Sequence, residues 1–393
     1  MFQRESGLDH PSVLKEKEIT RRTYSLDSNN NKFIETTNKG SILSLDFDKV
    51  ECKYLISGTS DSFIEIFDMQ KTVSPEKNKF SPIVTINRRS CKSMHQKGVS
   101  SVHWYTNDTG MFISGSFDST VGVWDTNTSE IVHLFNLEGR VFTVSLSSCS
   151  KQHNLIAAGS EEPKIRLCDI KNGQSLWFLD GHRASILSLK WSPANEYILA
   201  SGSLDGTVRL WDIRRPGPCM MTFDQHYHNK KNVTTKYQSY TNINTNKKAH
   251  SGGVTSVAFA NHGSQLLSSG TDNCLRLWDI YNGTNLLVNY PGVKNSCKIG
   301  TTIAVSGNQQ LVYHPNECDI LVFEVKTGEL IHTLKNHFKP VMCCCFHPVL
   351  QELYSGSIDG HINIWSPIQD DPPEIKPPQQ EQPQDQDDWD DSE

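Results

Sequence analysis

Three histidines stand twenty-two or twenty-three residues ahead of an aspartate: His182 before Asp205, His250 before Asp272 and His337 before Asp359. A histidine held against a carboxylate is the pair that general acid–base catalysis uses. Recurrence argues against that chemistry here. An active site is built once, whereas a hydrogen-bond unit that holds a repeated element together recurs with the element. The pairs therefore read as structural. Other catalytic signatures are missing: there is no phosphate-cradling glycine loop, no H-E-x-x-H, no G-x-S-x-G and no dinucleotide fingerprint. The chain has eleven cysteines, three of them consecutive at Cys343, Cys344 and Cys345. None has C-x-x-C spacing, so they read as buried, reduced thiols rather than metal ligands. That usage favours cytosol or nucleus over a secreted location. The expectation is a non-enzyme with no metal and no cofactor.

The element that carries the pairs is a repeat. In seven segments an acid precedes an aromatic residue or its substitute by six positions, as in Asp205 to Trp211, Asp118 to Trp124, Asp359 to Trp365 and Asp272 to Trp278. Weaker copies run from Asp61 to Phe67, Glu162 to Cys168 and Glu317 to Phe323. The steps between successive acids are 57, 44, 43, 67, 45 and 42 residues. Four match the ~40–45-residue period of a WD-repeat blade. The two long steps imply insertions near 70–94 and 216–248. Within a repeat, apolar and polar residues alternate from Leu187 to Trp191, and Asp205-Gly206 forms a hairpin signal before the next strand. Each unit is a small antiparallel sheet that cannot bury both of its faces alone. The fold class is therefore all-β, a seven-bladed WD-repeat β-propeller over residues 23–366.

The units resemble WD-repeat blades, in which a His, a strand Ser or Thr, the turn Asp and the Trp hydrogen-bond in series. The resemblance implies the sets His182, Ser201, Asp205, Trp211 and His337, Ser355, Asp359, Trp365, with a partial set His250, Asp272, Trp278. A buried imidazole and a buried indole N–H both need partners.

Prolines at 367, 372 and 373 cannot sustain a central strand, so the seventh blade lacks an outer strand of its own. Residues 23–26 are the candidate to supply it, and residues 32–36 the candidate to open blade one. Residues 1–22 are expected to carry a helix, with Asp9 as cap, Pro11 in its first turn and Leu14 and Ile19 on an apolar side. It is either a lead-in or a helix that docks on a partner. The 216–248 segment, rich in Asn, Thr, Lys and Tyr, reads as a loop, and 367–393 as a disordered acidic tail. Between 367 and 393 there are ten acids and one lysine, which leaves thirty-seven bases against thirty-four acids elsewhere in a chain of formal net charge −6. A body so close to neutral argues against a simple phosphate-neutralising DNA binder. No run approaches a membrane span, and the first 30 residues lack a secretory signal.

Trp211-Asp212-Ile213-Arg214 is similar to the WDxR box of substrate receptors of cullin-4 RING ubiquitin ligases. Segments through most of the chain, among them His103-Trp104-Tyr105, Leu287 to Tyr290 and Gln351 to Ser357, resemble the Cockayne syndrome group A family of transcription-coupled repair proteins. The Asn-rich loop and the Pro/Gln-rich tail depart from it. The resemblance implies a nuclear substrate receptor that grips its adaptor, damage-specific DNA-binding protein one, through Leu14, Ile19, Arg21, Arg22, Trp211, Asp212 and Arg214. It further implies cullin-4 with its RING subunit, the Cockayne syndrome group B translocase and stalled RNA polymerase II as partners. A WD-repeat scaffold in RNA processing or chromatin, or a propeller that binds nucleic acid directly, are the competing classes.

Overall fold

Short alternating segments separated by turn residues can hydrogen-bond only to one another, and they do so in order. In blade four, Ile186–Trp191, Ile198–Ser203, Val208–Asp212 and Cys219–Thr222 form an antiparallel sheet in chain order. The computed structural model describes residues 11–29, 31–71, 78–87, 94–227 and 247–368. They make seven four-stranded sheets. The innermost strands neighbour one another in sequence order, and Val341–His347 of blade seven meets Ile42–Phe47 of blade one, which closes the ring. The core lies between blades. Leu155 and Ala157 of blade three pack with Ile186, Leu189 and Trp211 of blade four, and Val208 and Leu210 of blade four pack with Val254, Val257 and Trp278 of blade five.

Every innermost strand starts at one face, here called upper, and every third strand ends at the other, the lower face. Gly206 shows how tightly the upper turns are set. Its φ is +80°, and a Cβ there would lie 2.6 Å from the His250 carbonyl oxygen. Ala249 and His250 both donate their backbone N–H to the Gly206 carbonyl at 3.0 Å, which ties blade five to blade four.

The chain ends close the ring, with a shift from the expected position. Leu26–Ser28, not 23–26, pairs antiparallel with Ile362–Pro367 as the outer strand of blade seven. Thr23 and Tyr24 belong instead to the helix Pro11–Tyr24. The Thr23 hydroxyl, buried, bonds back to the carbonyls of Ile19 (3.0 Å) and Thr20 (2.8 Å). Tyr24 packs against a cluster of Leu26, Tyr313, Leu353 and Trp365. Docking of the helix end decided the boundary over the strand propensity of Thr and Tyr. The Asp9 cap lies outside the described residues.

A second correction concerns residues 32–36. Lys32–Ile34 does not open blade one, which begins at Ile42–Phe47. It pairs in parallel with Asn78–Phe80, part of the insertion between the third and outer strands of that blade. In blade four the expected loop at 216–248 starts too early, because Cys219–Thr222 is the outer strand. Residues 228–246 and 369–393 lie outside the described residues, and with them most of the expected loop and tail. No described helix is long and apolar enough to cross a membrane. The ten described cysteines are all free, and burial pushes the Cys345 thiol up to about 12.

Candidate functional site: tetrads and the lower face

Four blades carry a complete series of hydrogen bonds. In blade four Trp211 Nε1–H donates to Ser201 Oγ at 2.8 Å, and Ser201 Oγ is 2.6 Å from His182 Nε2. His182 Nδ1 is 3.3 Å from Asp205 Oδ2, and Thr207 Oγ1 donates to Asp205 Oδ1 at 2.6 Å. One proton arrangement satisfies every atom. The indole N–H donates to the serine, the serine O–H to Nε2, and Nδ1–H to the carboxylate. A protonated imidazole would bring a second N–H to Ser201 and leave the serine proton without an acceptor. Blade seven repeats the series through His337, Ser355, Asp359 and Trp365.

Ser268 completes the partial set of blade five, with Trp278 Nε1 at 2.8 Å and His250 Nε2 at 2.7 Å. Arg276 Nη1 donates to Asp272 Oδ2 at 2.9 Å in the same blade. A fourth set went unread: His95, Ser114, Asp118 and Trp124 in blade two, with Nε2 of His95 2.6 Å from Ser114 Oγ. Its signal was in the sequence, since His95 precedes Ser114 by nineteen residues and Asp118 by twenty-three, as His182 precedes Ser201 and Asp205.

Burial lowers the pKa of His182, His250 and His337, with the neighbouring aspartate opposing it. The Asp205, Asp118 and Asp272 carboxyls are held well below the usual carboxylate range. Burial raises them, and the bonds from the partner histidine, the turn threonine or arginine, and backbone N–H groups outweigh it. Both shifts act in one direction on stability. The unfolded chain binds more protons once pH falls below the ordinary histidine value of 6.5, and again below the ordinary aspartate value of 3.8. The tetrads therefore contribute fully at neutral pH and less on acidification. Calorimetry should show the melting temperature falling between pH 7 and pH 5. A flat profile over that range would contradict a neutral buried imidazole in these blades.

Arg214 lies two residues past the end of the third strand of blade four, on the lower face. Its Nε and Nη2 donate to both oxygens of Asp212 at 3.0 and 2.8 Å, and its guanidinium lies over the Tyr197 ring, 4.5 Å from the centroid. Asp212 is buried, while the Arg214 side chain is 53% exposed. Its Nη1 has no partner among the described residues. Carboxylate and ring fix the fork in one orientation, so little rotamer freedom remains to be lost on binding. Tyr197 is itself held by its hydroxyl donating to Gln152 of blade three. Trp211 is fully buried and supports the box from within the tetrad. Of Trp211, Asp212 and Arg214, the arginine alone offers a free face.

The helix ends on the same lower face. Arg22 Nη2 donates to the Leu350 carbonyl of blade seven at 3.2 Å, and Asn308 of blade six donates to Thr23 Oγ1 at 3.5 Å. Arg21 forms a two-pronged pair with Glu18, both bonds 3.0 Å. Leu14 and Ile19 are half-buried and Val13 is exposed. Between helix and Arg214 lies the lower mouth of the central channel, a cavity of about 450 Å3 lined among others by Asp46, Lys49, His103, Lys190 and Phe346. Sequence spacing gave no sign of its Asp46–His103 pair (3.2 Å), which joins blades one and two. His103 and Lys190 are both pushed down, chiefly by burial. Among the described residues no group of His, Cys, Asp and Glu is arranged to hold a metal ion.

Comparison with known proteins agrees with this architecture. The family model "WD domain, G-beta repeat" matches residues 88–125, 173–212, 241–279 and 328–366. These matches end on the four blades with complete tetrads. The WD repeat-containing protein ATCSA-1 of Arabidopsis thaliana is 32% identical, over 93% of this chain and 94% of its own length. Radiation-sensitive protein 28 of Saccharomyces cerevisiae is 30% identical over 47% of this chain and 38% of its own length. Autophagy-related protein 16 of Arabidopsis thaliana is 22% identical over 69% of this chain and 56% of its own length. With seven closed blades, four His–Ser–Asp–Trp tetrads and a relative similar almost end to end, this chain belongs to the WD-repeat family of β-propeller proteins.

Proposed function

We propose that this chain is the substrate-recognition subunit of a nuclear cullin-4 RING ubiquitin ligase that acts in transcription-coupled nucleotide excision repair. One observation carries the reading: the pre-set Arg214 fork and the end of the N-terminal helix share the lower face, on either side of a recessed channel mouth. A rigid adaptor docked there would meet both. The similarity to ATCSA-1 over nearly the whole chain, and to a radiation-sensitivity protein over part of it, supports a role in DNA repair. The partners in this reading are damage-specific DNA-binding protein one as adaptor, cullin-4 with its RING subunit, the Cockayne syndrome group B translocase and stalled RNA polymerase II. Ubiquitin transfer belongs to the RING subunit, and this chain supplies a rigid surface.

Two predictions arise from the lower face. Arg214→Glu should weaken adaptor binding about tenfold or more, since a charge-assisted hydrogen bond contributes roughly 1.5–3 kcal/mol. The propeller should stay folded, with a lower melting temperature, because the substitution takes the two-pronged partner from the buried Asp212 carboxylate. Leu14→Asp with Ile19→Asp should weaken adaptor binding at least as much, because interfaces concentrate their energy in a few apolar anchors and a carboxylate resists desolvation. The ring should keep its stability, since Arg22, Thr23 and Tyr24 still anchor the helix end. Titration of purified adaptor against each variant, with a melting curve alongside, measures both. Wild-type affinity in both variants would remove the lower face from the account.

A further inference from the structure

The upper face has a charge pattern of its own. Each of the seven connectors leading into an innermost strand contributes a base. Lys39, Lys97, Arg183, Lys248, Lys298 and Lys339 are exposed, and none pairs with a carboxylate among the described residues. The seventh, Arg140, is paired with Glu161 at 3.1 Å. The tetrad acids of this face are recessed, with the side chains of Asp118, Asp205, Asp272 and Asp359 no more than 11% exposed, whereas Asp61, Glu161 and Glu317 in the turns and Glu138 and Asp180 in or beside the connectors are exposed. On the lower face the third strand of six blades ends in an acid, Asp68, Asp125, Asp169, Asp212, Asp279 and Glu324, and Asp68 and Asp212 are buried and paired with bases.

Beside blade seven the upper face also exposes apolar surface. Phe338, between His337 and Lys339, is 88% exposed, and Ile299, next to Lys298, is 37% exposed. Lys39 adjoins them, because its connector is fastened to the upper turn of blade seven by the Ser41 hydroxyl donating to the Ile358 carbonyl at 3.2 Å. Cations around an exposed aromatic ring make a patch suited to an acidic segment with an aromatic anchor.

The chain contains such a segment. Residues 369–393 hold ten acids and one lysine, and Trp389 lies between Asp387, Asp388 and Asp390, Asp391. They follow Ile368, at the lower end of blade seven. A six-residue strand is about 20 Å long, and the twenty residues from 369 to 388 span up to ~65 Å when extended. Reach is therefore ample for the tail to pass around the outside of that blade. Tethering gives an effective concentration on the order of millimolar, so a weak contact suffices.

We propose that the acidic tail folds over the rim of blade seven and docks residues 387–391 on the patch of Lys39, Lys298, Ile299, Phe338 and Lys339. Any partner of this patch then competes with the tail. The inference is independent of the ligase reading, which concerns the lower face.

The test uses the full chain with the photo-reactive residue p-benzoylphenylalanine in place of Trp389, cross-linked by light and mapped by mass spectrometry. The expected result is cross-links within one chain to residues 36–41, 294–301 and 336–340. Their yield should fall at least fivefold in 0.5 M sodium chloride, where surface charges are screened within a few ångströms, and also in the Lys39→Glu, Lys298→Glu, Lys339→Glu variant. Links to the lower face, links only between chains, no links, or a yield indifferent to salt and charge reversal would each overturn the proposal. So would labelled single-stranded DNA that binds this patch equally well with and without residues 369–393, which would assign the patch to nucleic acid.

Discussion

Asp205→Ala should lower the stability of the propeller by about 3–5 kcal/mol and its melting temperature by about 5 °C or more. The carboxylate accepts from His182 Nδ1, from the Arg183 and Thr207 backbone N–H groups at 2.9 and 2.8 Å, and from the Thr207 hydroxyl. Alanine strands these donors where its own side chain was only 10% exposed, and each unsatisfied buried group costs roughly 1–3 kcal/mol, with some relief from water. Ser201→Ala should behave alike, because one hydroxyl serves both the Trp211 indole and the His182 ring. Both variants should lose stability without choosing among partners. A stable Asp205→Ala protein that has lost one partner selectively would mean that the tetrad acts at an interface.

Removing residues 1–30 should have a larger effect still. Leu26 is buried against Trp365, Leu353 and Tyr313, and burying such a side chain contributes roughly 1.5–3 kcal/mol. The same deletion removes the pairing with Ile362–Pro367, the Asn29 N–H bond to the Ile364 carbonyl at 3.0 Å and the Ile368 N–H bond to the Ser25 carbonyl at 2.9 Å. Blade seven is left with an open edge, and the ring loses the clasp that joins its first residues to its last. A lower, broader melting transition and less soluble protein are expected. Leu26→Asp in the full chain separates the strand from the helix: it should reproduce most of the loss, whereas the Leu14, Ile19 double variant should not. A deletion protein that melts as the intact chain does would show that the ring closes without this strand.

What the sequence disclosed depended on whether a feature was local. The six-residue step from acid to aromatic lies within one hairpin, so the repeats and two complete tetrads could be read directly. His95 was overlooked because the insertion after Asp68 lengthens the connector before it and hides the repeat boundary, although its spacing to Ser114 was regular. Ser268 is absent from the partial set because the neighbouring Ser269-Gly270 imitates the repeat motif. Four residues ahead of the turn aspartate, the rule in the other tetrad blades, is the serine that bonds. The pairing of Lys32–Ile34 with Asn78–Phe80 joins two irregular segments far apart in the chain, and neither carries a periodic signal. Arg214 was visible as a residue type in a box. Its fixed orientation was not, because it depends on Tyr197 in the turn before another strand and on Gln152 in another blade.

The most direct test of the receptor reading is capture of the full chain from nuclear extract, with quantitative mass spectrometry of what accompanies it, for wild type and Arg214→Glu in parallel. The account predicts damage-specific DNA-binding protein one and cullin-4 in near-stoichiometric amounts with the wild type, and a loss of both of about tenfold with the variant. Their absence from the wild-type capture, with splicing factors, histones or nucleic acid recovered instead, would contradict it.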